Sequence, residues 1–599
     1  MQLRSLRFAA VGLALATAAV VAPHEAQASE VPEYVDQSNI IRAPATVGGV
    51  KAESFYFSPF GLERNVMVGL LHAPGATDGY ALLNFHLGAG GSETEPDANG
   101  VSVRAAVGVP KAVVERGPNG RGAMIYVPIG GADHNGCSGV FDKGKAGADF
   151  ADDCTSSGND IAVGLQKKLG ADGWMGFAAA INTWIAARTP DKVLADAKKE
   201  FEAWRKPVPE GAALCSENEK KLWRMGETTL RMGQVREPNI PGVRKNNGMM
   251  LASIPIGQWH TGWVRDGIYA IVGLVRTGHF AEAKMGLDFF MEAFDMNPPG
   301  MKNGKYKSYV RNKPYRISVT RHYGNGEEES DTNNEVPNVE TGGWGLTLWA
   351  ARLYVEISGD VAWLDKQTFD GKVYEVLTKG VAEPIEGQLE ANGIMAADSS
   401  IWETHEANKR HFAYTTLTAA RGLCDMAGIA KKGNRGGDIA KYQALSKRVS
   451  DGFLASFVDP QGALSGSLEG LSSGKYTDGA VAEAFTWNIL KDWKGDTAKA
   501  LSRSSASSSS RPVATSATTT GSASTTTTSG SSSTSASPTR FVARVAAPNS
   551  MPSSPRSSRR RPRTSPSVPS CTTPSPRTVP SASTPVRSRW SATAAARSS

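Results

Sequence analysis

The sequence predicts a chain of β and α parts, an antiparallel β-sandwich followed by an (α/α) toroid, and three changes of texture predict it. From Glu30 to about Thr189, short runs rich in β-branched and aromatic residues recur between Gly, Asn, Asp and Pro clusters. From Ala212 onward the apolar residues recur at helical spacing instead. Beyond about Ala500 neither period survives, and Ser, Thr, Pro, Ala and Arg take over. These changes divide the chain into a leader over 1–28, a sandwich over 29–190, a linker helix over 191–211, a helical domain over 212–498 and a tail over 499–599.

The leader has Arg4 and Arg7, an apolar run from Phe8 to Ala22, and then Ala26-Gln27-Ala28, the three-part pattern of a cleavable secretory signal. Cleavage is expected after Ala28, and no later stretch reaches the length of a membrane span. A secreted, soluble monomer is the expectation. Export makes the cysteines candidates for disulfides. Cys137 and Cys154 are close enough in sequence to close a loop, whereas Cys215 and Cys424 would have to meet through the fold. No Cys or His spacing suggests zinc. Asp133, Asn135, Asp142, Asp149, Asp152 and Asp153 could bind calcium, but they lack the spacing of a helix-loop-helix site, and an ordinary acidic loop explains them as well. No other cofactor is implied.

The formal charge of +8 is unevenly distributed. Residues 501–599 hold thirteen arginines and no Lys, Asp or Glu, and subtracting that +13 leaves −5 for residues 1–500. The body is mildly acidic, so a nucleic-acid partner is not expected.

Within the sandwich the strand signals fall at Ser54–Phe57, Val66–Leu71, Tyr80–Leu87, Met124–Ile129, Ile161–Leu165 and Trp174–Ile181. Asp191–Arg205 reads as a charged helix stopped by Pro207 and Pro209. In the helical domain Ile268, Ile271, Val272 and Val275 share one face, as do Trp344, Leu348, Ala351 and Val355. Further helical patterns cover about 216–234, 279–295, 360–378, 411–428, 436–457 and 478–491, with no strands expected between them. Long loops at Asn297–Val339 and Ala382–Asn408 are where a site on such a scaffold would be assembled.

Two stretches carry chemistry. In Asp398–Phe412 a tryptophan precedes a carboxylate, Trp402-Glu403, with cations following. An aromatic wall that excludes water raises a carboxyl pKa, which suits a general acid; the alternative is a solvated loop carboxylate beside a core tryptophan. In Trp263-Val264-Arg265-Asp266 a forked donor stands beside a charged acceptor, able to hold two neighbouring sugar hydroxyls, or simply to form an ion pair at a helix start. Trp263, Trp344 and Trp402 offer flat faces suited to a pyranose ring, although Trp344 also sits on an apolar helical stripe. Glu340 precedes a helix, and Arg410 and His411 either orient the acid or begin a helix. The run Glu327-Glu328-Glu329 with Asp331 reads as a solvated loop.

Together these stretches resemble the glucoamylases and related enzymes of glycoside hydrolase family fifteen, in which a Trp-x-Arg-Asp motif precedes Asp-x-x-Ile-Trp-Glu and Arg-His-Phe. Here they read Trp263-Val264-Arg265-Asp266, Asp398-Ser399-Ser400-Ile401-Trp402-Glu403 and Arg410-His411-Phe412. The resemblance runs from about Asn247 to Leu490 and, in layout, back to Glu30. It implies an amino-terminal β-supersandwich, a barrel of six helical hairpins, Glu403 as catalytic acid, and Arg265 and Asp266 gripping the terminal glucose; Trp263, Trp402, Trp344, Glu340 and His411 are further candidates for binding it. It implies an exo-acting inverting α-glucan hydrolase, or a disaccharide phosphorylase on the same plan. It also implies a general base late in the barrel, where residues beyond Ala500 contain no Asp or Glu. The tail is thus expected either to be a disordered basic linker or to be translated out of frame after about residue 498, leaving the toroid incomplete and, at the extreme, a glucan-binding remnant.

Overall fold

The computed structural model describes, apart from short breaks, residues 31–87, 101–137, 152–180, 189–208 and 216–489, with a strand pair at Ala19–Val20. The expected leader, the Cys137–Cys154 pairing, the site of Asp142, Asp149 and Asp153, and the whole of the tail otherwise lie outside the described residues. Cys424 is a free thiol, its expected partner Cys215 lying outside them too.

The β region is built from strands β1 (Ala19–Val20), β2 (Glu33–Tyr34), β3 (Ile41–Val47), β4 (Val50–Phe57), β5 (Met67–His72), β6 (Tyr80–Leu87), β7 (Val101–Ala105), β8 (Val113–Arg116), β9 (Ala123–Ile129), β10 (His134–Cys137), β11 (Thr155–Gly158), β12 (Ile161–Lys168) and β13 (Trp174–Ala180). They form two antiparallel sheets, one ordered β11-β7-β8-β9-β13-β5-β4-β3-β2 and the other β1-β6-β12-β10. Every strand pair is antiparallel; β2 to β5 and β7 to β9 follow one another in the sheet as in the chain, whereas β13 returns from far along the chain to lie between β9 and β5. Alternate residues point to one face: Phe55 and Phe57 of β4, Val68 and Leu70 of β5, Val127 and Ile129 of β9 and Ala178 of β13 make one core. Helix α1 (Pro190–Trp204) lays Val193 and Leu194 into that same core, Pro190 fixing its first turn. Asp152 is taken up by the Lys111 ammonium at 2.6 Å and the His134 ring at 3.0 Å, so this member of the acidic cluster bonds to side chains of the protein itself.

The linker binds the β and helical parts. Trp204 Nε1 donates to Glu282 Oε1 at 2.7 Å and its ring stacks on His279 at 3.9 Å. Arg205 donates to the carbonyls of Asp36 and Gln37, and Thr228 Oγ1 to that of Gln37.

The helical part consists of α2 (Glu217–Met232), α3 (Val264–Arg276), α4 (Phe280–Glu292), α5 (Gly342–Ser358), α6 (Val373–Leu377), α7 (Glu383–Gln388), α8 (Ala413–Lys432), α9 (Gly436–Phe457), α10 (Leu468–Ser472) and α11 (Glu483–Thr486). A π turn at Thr378–Ala382 joins α6 to α7. A capping box, Ser216 with Glu219, starts α2. Helix α2 packs on α3, α4 on α3 and α5, the π turn between α6 and α7 on α5 and α8, and α9 and α11 on α8. Helices α3, α5 and α8 pack side by side as an inner layer. Burial follows that order, since α5 and α8 are buried on nearly every side while α2 and α9 show polar faces to solvent. At the α5–α8 contact a Cβ on Gly345 would overlap the Thr418 carbonyl oxygen, and one on Gly422 would lie 2.6 Å from Gly345 Cα. Only glycine permits that approach, which draws the starts of α5 and α8 together.

Three expectations are corrected here. Short strands do lie between the helices: β14 (Gly262–Trp263), β15 (Arg321–His322) and β16 (Glu328–Glu329) form a small sheet, and β17 (Gln367–Thr368) pairs with β18 (Gly371–Lys372). That second hairpin interrupts the helical pattern expected over 360–378, and the helix begins only at Val373. The acidic run is not solvated: Glu328 is buried and accepts from Tyr315 Oη at 2.9 Å and the amide of Lys305 at 2.8 Å, while Glu329 takes the Arg321 guanidinium.

Candidate functional site

The site gathers where the inner helices begin. Helix α3 opens with Val264-Arg265-Asp266, and Trp263 before it is fixed by the pairing of β14 with β15. Arg265 therefore projects from a first turn anchored on both sides. Its Nη1 donates to Glu340 Oε2 at 2.5 Å and its Nη2 to Glu403 Oε1 at 2.9 Å, with Asp266 Oδ2 at 3.7 Å. One guanidinium thus collects three carboxylates brought from 75 and 138 residues away and from the adjacent position. The fork suits this, since its donors point in fixed, separate directions.

Glu340 stands just before α5 and is 6% exposed. Asn338 Nδ2 donates to its other oxygen at 2.8 Å. Burial pushes its pKa up to about 8; Arg265 opposes the shift and the Glu403 charge adds to it. Burial likewise raises Asp266, again opposed by Arg265.

Glu403 is held on a strongly shaped loop. It follows a 3-10 turn at Ser400–Trp402, and Ser400, Glu403 and His405 have φ of 49°, 50° and 54°. Left-handed backbone at non-glycine residues costs energy, and here the surroundings hold it. His405 splints the loop, with Nδ1 2.9 Å from the Glu403 carbonyl oxygen and Nε2 3.0 Å from that of Asp331. Beneath lies Asp398, 2% exposed, which accepts from the Thr341 amide at 3.0 Å, Thr341 Oγ1 at 2.8 Å and Thr415 Oγ1 at 2.9 Å. It thereby ties the starts of α5 and α8 to the acid loop, and burial raises its pKa to about 7 despite those donors. The Ser399 amide donates to the Val339 carbonyl, so the loops bearing Glu340 and Glu403 are tied to each other.

Of the residues singled out in the sequence, Arg265, Asp266, Glu340 and Glu403 come together. The others are placed differently. Trp344 is fully buried, packs on Tyr315 and donates its indole N–H to the Ile317 carbonyl, so it is a core residue. Trp263 is 2% exposed with the Arg321 guanidinium 5.0 Å over its ring, and offers no open face. His411 pairs with Glu469 at 2.9 Å and Glu390 at 3.5 Å rather than with the acid. Trp402 is 53% exposed and its indole N–H donates to Asp478, so it flanks Glu403 without enclosing it. That open face is the one that remains to receive a flat apolar ligand surface.

Sequence reasoning missed Asp398, His405 and a polar group one turn deeper. There Tyr269 of α3 donates to Glu483 Oε1 of α11 at 2.9 Å, and its oxygen lies 3.1 Å from that of Tyr414 on α8. Tyr269 is four residues beyond Arg265, a helical spacing that marks the same face. A cavity of about 410 Å³ lies elsewhere, along α4, but its lysines 245, 284 and 366 are already paired with Asp295, Asp360 and Asp288. No described helix is long and apolar enough to cross a membrane.

No protein-family model matches the sequence, and no curated protein resembles it closely enough to count as a relative. Among solved structures the chain is similar to a bacterial glucoamylase complexed with acarbose, at 12% identity and TM-score 0.46, over 73% of this chain and 61% of that one. It is similar to a glucoamylase from Saccharomycopsis fibuligera at 14% identity and TM-score 0.35, over 46% and 58%. It is also similar to a family GH92 α-mannosidase from Bacteroides thetaiotaomicron at 12% identity and TM-score 0.40, over 78% and 59%. The chain spans about three fifths of the length of these structures. At these scores the fold is read from the chain itself, an antiparallel β region followed by helical hairpins with a carboxylate-rich site at the starts of the inner helices.

Proposed function

We propose that the protein is an exported glycoside hydrolase that cleaves α-glucans from the chain end with inversion, using Glu403 as general acid. The observation that carries the reading is the Arg265 fork, which holds Glu403 at 2.9 Å while Glu340 at 2.5 Å fixes the other side of the guanidinium. Such a cluster meets two demands of glycosidic cleavage: a carboxyl group rigidly aimed at the leaving oxygen, and charged donors and acceptors able to grip neighbouring hydroxyls. Asp266 and Arg265 supply the grip, and Trp402 supplies the exposed ring face. Hydrolysis is favoured over phosphorolysis because Arg265 and Arg321 are both engaged by carboxylates, leaving neither to bind phosphate. Residues 501–599 contain no Asp or Glu, so in this chain the proton acceptor has to come from residues before them. The test is to incubate the purified full chain with linear α-glucans, with and without inorganic phosphate, and identify the product. Free glucose independent of phosphate supports the reading; glucose 1-phosphate, or binding without any product, overturns it.

A further inference from the structure

Inversion requires a proton acceptor on the face of the sugar opposite the acid, and the carboxylate at issue is Glu483. It is the first residue of α11, preceded by a 3-10 turn whose capping residue, Asp478, accepts the indole N–H of Trp402 at 3.1 Å. The start of α11 is therefore fastened to the loop that bears Glu403. Glu483 Oε1 accepts from Tyr269 Oη at 2.9 Å, while its Oε2 is buried with no hydrogen-bond partner among the described residues.

The hydrogen-bond inventory of Tyr269 is informative. A phenol has one donor and two acceptor positions. Its donor goes to Glu483, so at the 3.1 Å contact Tyr414 must be the donor, and one acceptor position on Tyr269 remains for water. The ring is fixed edge-on against Trp349 at 5.6 Å, and the residue is half-buried, not enclosed. Arg265 and Tyr269 are four apart on α3, so their side chains start ~5–6 Å apart. One reaches Glu403 and the other Glu483.

We propose that Tyr269 and Glu483 form the proton-accepting side of the site. As the water oxygen bonds to the anomeric carbon and the glycosidic C–O bond breaks, the water proton passes to the Tyr269 oxygen while the Tyr269 proton passes to Glu483 Oε1. The Glu403 proton goes to the leaving oxygen. Glu483 ends neutral, Glu403 ends as carboxylate, and Tyr269 is unchanged. Burial, Tyr414 and Glu483 all raise the Tyr269 pKa, so the phenol relays a proton rather than losing one.

This rests on the hydrolase reading, and one experiment separates the two. The full chain and its Glu403→Gln, Glu483→Gln and Tyr269→Phe variants are assayed on α-glucosyl fluoride and on a linear α-glucan, with and without sodium azide. Both Glu483→Gln and Tyr269→Phe are expected to lower kcat ~10²–10⁴-fold, the usual contribution of general acid–base assistance, with KM little changed. Azide, a nucleophile that needs no deprotonation, is expected to restore turnover in both and to yield β-glucosyl azide. Should Glu483→Gln fail to fold, Tyr269→Phe, which keeps the ring against Trp349, carries the test. Wild-type rates in Tyr269→Phe, or a loss that azide does not restore in a folded variant, overturn this proposal alone. A wild-type chain inert toward both substrates overturns the hydrolase reading and this proposal with it.

Discussion

Replacing Arg265 by alanine removes the one cation that, among the described residues, faces Glu340, Glu403 and Asp266 together, and its cost should depend on pH in a way that follows from Glu340. Breaking a buried pair by deleting one partner typically costs ~3–5 kcal/mol, because a charge is left buried and uncompensated. Glu340 can escape part of that cost by protonating, since its pKa already stands at about 8. A carboxyl group raised in the folded state gives stability that is fully present below its unfolded pKa and is lost as pH rises through the folded one. Arg265 holds the Glu340 value down, so its removal moves the value further up and deepens the loss on the alkaline side. At pH 6, where Glu340 stays neutral in either case, the cost should be near that of the lost hydrogen bonds, ~1–3 kcal/mol. At pH 9 it should approach the full ~3–5 kcal/mol. Urea unfolding of Arg265→Ala, Glu340→Gln and the double variant at both pH values measures this directly. The double variant should recover most of the pH 9 loss, since the most deeply buried of the three carboxylates is then gone, leaving Asp266 and Glu403. A cost independent of pH, or a cycle additive within ~0.3–0.5 kcal/mol, would refute the coupling of these two groups.

Asp398→Asn should flatten the pH dependence of stability between about pH 4 and 7: the wild-type carboxyl, raised to about 7, loses stability as pH rises through that window, and the amide cannot. Urea midpoints at pH 5 and 8 check it, and parallel slopes in both proteins contradict it. Gly345→Ala should cost about 1–3 kcal/mol by pushing α5 off the Thr418 carbonyl, read as a lower urea midpoint, whereas Gly359→Ala, where a Cβ meets nothing, should show only the strain of its φ of 75°. Trp402→Ala should weaken binding of a short glucan without lowering stability, because the ring is 53% exposed; equal affinity measured by calorimetry removes it from the binding surface. The out-of-frame expectation for the tail predicts that another frame after residue 498 restores helical periodicity and ordinary Lys, Asp and Glu content, and featureless alternative frames contradict it.

The elements most legible in the sequence are those whose burial is local. Helix α9 spans 436–457 as its pattern predicts, because one periodic face decides it; β6 spans Tyr80–Leu87 as its strand signal predicts. Strands β7 and β8 were not legible: Val101-Ser102-Val103-Arg104-Ala105 alternates over only five residues, and Val113-Val114-Glu115-Arg116 does not alternate at all. The β17–β18 hairpin carried its own signal in Asp370-Gly371, with Gly371 at φ 116°, hidden inside a stretch of otherwise helical spacing. In the site, the Arg-Asp and Trp-Glu motifs are local and readable. What the sequence could not convey is where tryptophan faces turn, since Trp263 and Trp344 look like Trp402 until Arg321 and Tyr315 are seen to cover them. The burial of Glu328 was equally hidden, because its donors come from Lys305, Tyr315 and Val319 in an irregular loop.

The most direct test of the central claim is proton NMR of the sugar released from a linear α-glucan by the full chain and by Glu403→Gln, followed before mutarotation obscures the anomer. The account predicts that the wild-type chain releases β-glucose first, and that Glu403→Gln binds the glucan but releases sugar ~10²–10⁴-fold more slowly. Initial release of α-glucose, or turnover by Glu403→Gln at the wild-type rate, would contradict it.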